Sequence, residues 1–156
     1  MTDKSKSRGT FFEDFRLGEI LDHHWGRTLN AGDNSLFTTL TLHFNPLYLN
    51  AEVAKAHGHD DIVVNPCLVF ATIFGMSVED CSEKGGSFLG IEDLEFAGSV
   101  YPGDTLTARS TVIDLRQPSS RKTHGIVTWN TEGFCVGRKM IGFQRANLVL
   151  RRELAA

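Results

Sequence analysis

The pattern of apolar and polar positions changes character near the middle of the chain. In the first half, short apolar clusters recur at helical spacing. FFEDFRLGEIL holds an apolar cluster, a turn at Gly18 and the start of a strand that runs towards Arg27. Thr28 and Asn30 can cap the helix after that strand, and Asp33 adds negative charge near its start. AGDNSLFTTLTL predicts a short helix on Leu36, Phe37 and Leu40, broken by Pro46. PLYLNAEVAKAHG predicts a second helix, with Asn50 as cap and Gly58 as stop. The polar stretch HGHDD is a loop. VVNPCLVFATIFGMSVEDC then predicts a third helix, with Asn65 at the N-cap and Pro66 at the first helical position. From Cys67 to Val78 this segment is apolar nearly all round, the pattern of a helix buried at the centre of a domain. Gly85 and Gly86 would stop it.

The second half is written for strands. SFLGIEDLEFAGSV, DTLTARSTVIDL, HGIVTWNTEGF and RKMIGFQRANLVL are rich in β-branched and aromatic residues. They are parted by YPGD, RQPSSRK and CVG, which is turn chemistry. With the early strand this predicts about five antiparallel strands and one long apolar helix. The economical packing is an α+β fold with the sheet laid around that helix.

Composition narrows the class. The chain has 156 residues, 41% apolar and 22% charged, enough for one apolar core. We expect one domain over residues 11–152, preceded by a disordered tail over 1–10. The net charge of −3 comes without a basic stripe, which argues against nucleic acid as a partner. No apolar run approaches the roughly 20 residues of a membrane span, and MTDKSKSRGT lacks the apolar core of a signal peptide. Cys67, Cys81 and Cys135 are odd in number and widely spaced, so neither a disulfide framework nor a zinc knuckle is expected. The expected location is the cytoplasm.

Several stretches together resemble the MaoC-like dehydratase family, which includes R-specific enoyl-CoA hydratases and mesaconyl-CoA hydratases. They are FEDFRLGE with GRTLNAGDN, then FNPLYLNAEVA, VVNPCLVFATIFGMSV, SVYPGDTL, and GIVTWNTEGF with FQRANLVLRR. The resemblance runs from about Phe11 to Arg152. It implies a hotdog domain, in which the sheet wraps a central helix. It also implies pairing of such domains as a homodimer or higher oligomer with joined sheets, and an acyl-CoA substrate bound at the interface. Coenzyme A would then enter as part of the substrate, with no separate cofactor; no Gly-rich phosphate loop follows a strand.

In the family, an Asp two residues before an Asn-Pro pair and a His two residues after that Pro hold one water. A backbone N–H at the helix start, usually of a Gly following a His, takes the oxyanion. Here Asn45, Pro46 and Leu47 match, the Asp position holds His43 and the His position holds Tyr48. The His-Gly pair is Asn65-Pro66, and proline has no N–H to offer. The resemblance therefore implies His43, Tyr48 and Asn45 as the catalytic group, with Asn65, Pro66, Cys67 and Leu68 lining the substrate. An imidazole titrates near neutrality, so His43 could be the base. Tyr48 could orient water or donate a proton. The amide of Asn65, the N–H of Cys67 and the positive end of the helix could hold the oxyanion. The implied activity is reversible hydration or dehydration, a lyase reaction, of a short, branched or dicarboxylic acyl-CoA of the mesaconyl kind.

Plainer roles stand beside these. His43 could cap the preceding helix, Tyr48 could be a half-buried aromatic, Asn65 a plain N-cap and Cys67 a small buried apolar residue. His57 and His59 fit a solvated loop better than a metal pair. His23 and His24 point to opposite faces of a strand. Asp104 belongs to a turn. Arg116, Arg121 and Lys122 could meet CoA phosphates or simply be solvated. Two other functions stay open: a CoA-thioester-binding hotdog module without turnover, and an acyl-CoA thioesterase. The latter would want a carboxylate near the helix start, whereas Glu79 and Asp80 follow its far end.

Overall fold

The computed structural model describes residues 9–152; the expected tail lies, up to residue 8, outside them. The sheet is built from β1 (Ile20–Thr28), β2 (Gly85–Phe96), β3 (Thr105–Arg116), β4 (His124–Cys135) and β5 (Arg138–Leu150), and the helices are α1 (Ala31–Leu40), α2 (Ala51–Ala56), α3 (Pro66–Met76) and α4 (Val78–Cys81). The strands form one antiparallel sheet in the order β1-β3-β4-β5-β2. The α+β arrangement expected from the sequence is the one found.

Strand alternation sets the inner face. On β3, Leu106, Ala108, Ser110 and Val112 are buried in turn, so every second side chain meets the core. The β4–β5 hairpin closes through Val136 and Gly137, both at positive φ (48° and 75°), the left-handed pair that a two-residue hairpin of the right twist requires. Helix α3 lies on the concave face. Val69, Ile73 and Met76 pack there against Leu106, Ile141 and Phe143. At Gly133 a Cβ would stand 2.6 Å from Ile73, so the helix approaches β4 as closely as a bare backbone allows.

Three local expectations are corrected. First, α3 is not covered all round: Cys67, Ala71 and Gly75 form an exposed stripe, because the sheet reaches only one side of the helix. Cys67 is therefore not the buried apolar residue one plain reading expected. Second, the chain from Pro46 to Gly58 is not one helix. Pro46–Tyr48 forms a 3-10 turn, and Asn50 restarts the helix as α2 by accepting the N–H groups of Glu52 and Val53. Third, Gly85 and Gly86 open β2 instead of ending the central helix, which stops at Met76 and gives way to α4. Helix α1, found where the spacing placed it, presents its apolar face outward: Leu36 is 63% and Leu40 73% exposed, while Asn34 and Thr38 are fully buried.

Candidate functional site

The stretch from Thr41 to Asn50 is a rigid turn made almost wholly from short-range capping. Helix α1 ends with the Thr41 hydroxyl donating to Phe37 O at 2.7 Å, and Leu42 at φ 57° reverses the chain. The His43 N–H returns to Thr38 O at 3.0 Å. Asn45 Oδ1 accepts the Leu47 N–H at 3.0 Å, so Asn45 caps the 3-10 turn. Its side-chain oxygen is thus tied to the backbone and fixes the turn.

Beneath the turn lies a stack of three buried polar groups. Asn34, on the inner face of α1, accepts the Asn65 N–H at 2.7 Å and donates to Tyr48 O (2.9 Å) and Val63 O (3.1 Å). Asn65 caps α3 by accepting the Cys67 N–H at 3.0 Å. Its Nδ2 lies 3.2 Å from Thr38 Oγ1 and 3.2 Å from His43 Nδ1. Asn34 and Thr38 are absent from the sequence-derived site. They stand four apart on one face of α1, but Asp33, Ser35 and Thr39 are polar too, so nothing in the sequence marked that face as the buried one.

Tyr48 is buried and meets the His43 ring edge-to-face, with centroids 5.2 Å apart. Burial, with the neighbouring Cys67 thiol, pushes its phenol above the usual value, so at neutral pH it is a donor, not a base. His43 is half-buried at the surface of this cluster.

The expected oxyanion donors are corrected by hydrogen-bond accounting. The N–H of Asn65 goes to Asn34, that of Cys67 to Asn65 Oδ1, and those of Leu68 and Val69 to Asn65 O. Pro66 has none. Asn65 is itself 0% exposed with its side-chain groups all partnered, so it supports the site from below and does not present itself to a substrate.

Two hollows flank the cluster. Tyr48 and Pro66 line one of about 340 Å³, together with Leu47, Val69 and Phe96. Leu68 lines the other, an apolar groove of about 550 Å³ between α1, α3 and β1, with Leu36, Phe37, Leu40 and Trp25. Leu40 and Leu68 stand three residues from His43 and Asn65 along the chain, but neither His43 nor Asn65 lines the groove. This is where the outward apolar face of α1 is used.

The other candidates fall elsewhere. His57 bonds Val53 O at 2.8 Å and His59 bonds the Tyr101 hydroxyl at 3.0 Å, so the two share no ligand position. Asp104 accepts the Tyr101 N–H at 2.9 Å, as a turn residue. Arg121 and Lys122 lie beyond the far end of β3; its 12 residues span roughly 40 Å from the Tyr48 end. One constellation was missed: His23 joins Asp80 Oδ2 (2.6 Å) to Ser110 Oγ (2.8 Å), and Ser110 meets Thr131 at 2.8 Å. The partners are arranged as in a hydrolytic triad. Ser110 is 0% exposed, however, so no thioester can reach that hydroxyl and the network serves as a clasp between β1 and α4.

Comparison with known proteins agrees with this architecture. The family model described as mesaconyl-CoA hydratase matches residues 2–156. A mesaconyl-CoA hydratase of Haloarcula hispanica is 40% identical over 154 residues, covering 97% of this chain and 43% of the relative. A solved MaoC domain protein of Chloroflexus aurantiacus superposes with TM-score 0.91 at 33% identity, over 99% of this chain and 44% of that one. A Mycobacterium tuberculosis protein with a double hotdog fold superposes with TM-score 0.81 at 23% identity, over 92% of this chain and 44% of that one. The chain is thus similar to somewhat under half the length of each, and it has the hotdog fold.

Proposed function

The chain belongs to the mesaconyl-CoA hydratase family, and on that premise we propose that it hydrates, reversibly, a short branched acyl-CoA thioester of the mesaconyl kind. The observation that carries the proposal is the turn itself. His43 and Tyr48 occupy the family's Asn-Pro-Leu frame, ring against ring, over the capped start of the central helix. Water adds at C3 of the enoyl group, a proton arrives at C2, and negative charge develops on the thioester oxygen in between. His43 and Tyr48 are the pair we place at those atoms. Coenzyme A takes part only as the substrate's carrier, and the adjoining groove would take the acyl group.

A second hotdog unit would complete the site. Strand β2 forms one edge of the sheet and exposes Phe88, Leu89, Leu94 and Phe96, while α3 exposes its Cys67–Ala71–Gly75 stripe. An edge with that much apolar surface calls for a neighbour, and a second copy of this chain, as a homodimer or higher homo-oligomer, is the simplest one. The three free cysteines suit a reducing compartment such as the cytoplasm.

A second reading has its own observation: no carboxylate stands in the turn, and the Tyr48 phenol is pushed away from ionising. On that reading the unit binds a CoA thioester without turning it over. The deciding experiment offers mesaconyl-CoA, crotonyl-CoA and related enoyl-CoAs to the purified chain. It follows the conjugated thioester absorbance with a thiol reagent in parallel wells. The proposal expects absorbance loss without thiol release. Thiol release would make the protein a thioesterase, and calorimetric binding without either signal would make it a binding module.

A further inference from the structure

The Asn65 carboxamide cannot be turned around. Its Oδ1 accepts the Cys67 N–H at 3.0 Å; the reversed amide would set donor against donor. Nδ2 therefore faces Thr38 Oγ1 and His43 Nδ1, at 3.2 Å each, and has one hydrogen for each. An amide nitrogen of this kind only donates. A neutral imidazole has one donor and one acceptor nitrogen, and the tautomer follows from the network around it. Nδ1 of His43 must be the acceptor, which puts the proton on Nε2. Asn65 is held in turn by Asn34, whose own orientation is fixed: Oδ1 takes the Asn65 N–H, and Nδ2 feeds the carbonyls of Tyr48 and Val63.

We infer that Asn34 and Asn65 are positioning residues that lock His43 as its Nε2–H tautomer, and that this N–H is the donor for the thioester oxygen. Every backbone N–H at the start of α3 is already partnered, and Pro66 has none, so a side chain has to supply that donor. Two groups in the turn have a hydrogen to give, the Tyr48 hydroxyl and the half-buried His43 ring; the hydroxyl serves the adding water and C2, which leaves the ring for the thioester oxygen. His43 then stabilises charge; the proton that leaves the adding water passes to the Tyr48 hydroxyl as that hydroxyl gives its own to C2, so the addition balances without a base at His43. The donor role rests on the hydration reading proposed above; the tautomer lock does not.

Long-range proton–nitrogen spectra of the full chain, labelled with 15N-histidine and recorded above pH 8, test the lock directly. The His43 signals are assigned by their loss in His43→Gln. The expected result is an unprotonated Nδ1 and a protonated Nε2. Asn65→Asp turns a carboxylate oxygen towards Nδ1 and should move the proton to it. A wild-type spectrum with the proton on Nδ1, or with both tautomers in exchange, would overturn the lock. So would an Asn65→Asp spectrum with the wild-type tautomer. The wild-type spectrum decides the matter even if Asn65→Asp fails to fold. Turnover then tests the role. Gln at position 43 keeps an N–H donor but cannot act as a base, so His43→Gln should lose less than about tenfold in kcat where His43→Ala loses about a hundredfold or more. Equal losses would overturn the donor role and leave the tautomer standing. Absence of turnover in the wild type would refute the hydratase reading, and with it the donor role, but not the lock.

Discussion

Gly133→Ala tests how tightly the central helix is seated. A methyl built on Gly133 would meet Ile73 Cγ1 at 2.6 Å, Ile73 Cδ1 at 2.7 Å and Ile141 Cγ2 at 2.7 Å. Carbon atoms in good contact are about 3.5–4.0 Å apart. The new methyl is therefore about 1 Å too close to two branched side chains, one on α3 and one on β5. The backbone at Gly133 is not in the left-handed region, so the substitution also gains about 0.4–1 kcal/mol by stiffening the unfolded chain. Overpacking at about 1–3 kcal/mol or more exceeds that gain. The net expectation is a loss of about 1–2 kcal/mol, seen as a fall in melting temperature of roughly 5 °C for a chain of this size. Ile73→Ala alone should cost about 2–5 kcal/mol through the cavity it leaves. Combined, the two should cost less than their separate effects by at least about 1 kcal/mol, since the methyl added at position 133 enters space that Ile73 vacates. Urea melts of the four proteins give the cycle. A Gly133→Ala protein as stable as the wild type, or strictly additive losses, would refute this packing of helix on sheet.

The buried groups yield two further outcomes. Asn34→Ala strands the Asn65 N–H and the carbonyls of Tyr48 and Val63; at about 1–3 kcal/mol per unsatisfied group, urea melts should show a loss of about 3 kcal/mol, and a loss below about 1 kcal/mol would contradict the hub. Cys81 has its thiol pushed up to about 12 by burial, which outweighs the opposing Arg145 charge and Ser110 hydrogen bond, whereas Cys67 is exposed. Iodoacetamide at pH 8 should therefore reach Cys81 only on unfolding, and mass spectrometry showing Cys81 labelled in the folded protein would contradict the burial.

The parts of the fold that depend on neighbours in sequence were legible. Asn65-Pro66 announced a helix start because a cap and a first-turn proline are local chemistry, and α3 begins there. The strands were legible because alternation on a half-buried surface is also local, as on β3. The helix α1 shows where such reasoning stops. Its apolar residues gave the right helix but not which face is buried. The buried face is held by Asn34 and Thr38, whose partners lie at Tyr48, Val63 and Asn65, far along the chain. Spacing cannot reveal that a polar side chain will find three backbone groups it has not yet met. The clasp of His23 with Asp80 escaped for the same reason: strand alternation placed His23 and His24 on opposite faces, but nothing local to β1 names a carboxylate in α4. The frame of the candidate site, His43 to Tyr48, was singled out through the family resemblance. What the resemblance could not supply was the state of each N–H, which overturned Asn65 and Cys67 as oxyanion donors.

The central claim is that chemistry happens at this turn. The most direct test compares wild type, His43→Ala and Tyr48→Phe on whichever enoyl-CoA the wild type hydrates, with circular dichroism confirming that each variant is folded. The account predicts that each substitution lowers kcat at least about a hundredfold, as expected for groups that act on the reacting atoms. Wild-type rates in both variants would contradict it and move the reacting centre away from His43 and Tyr48.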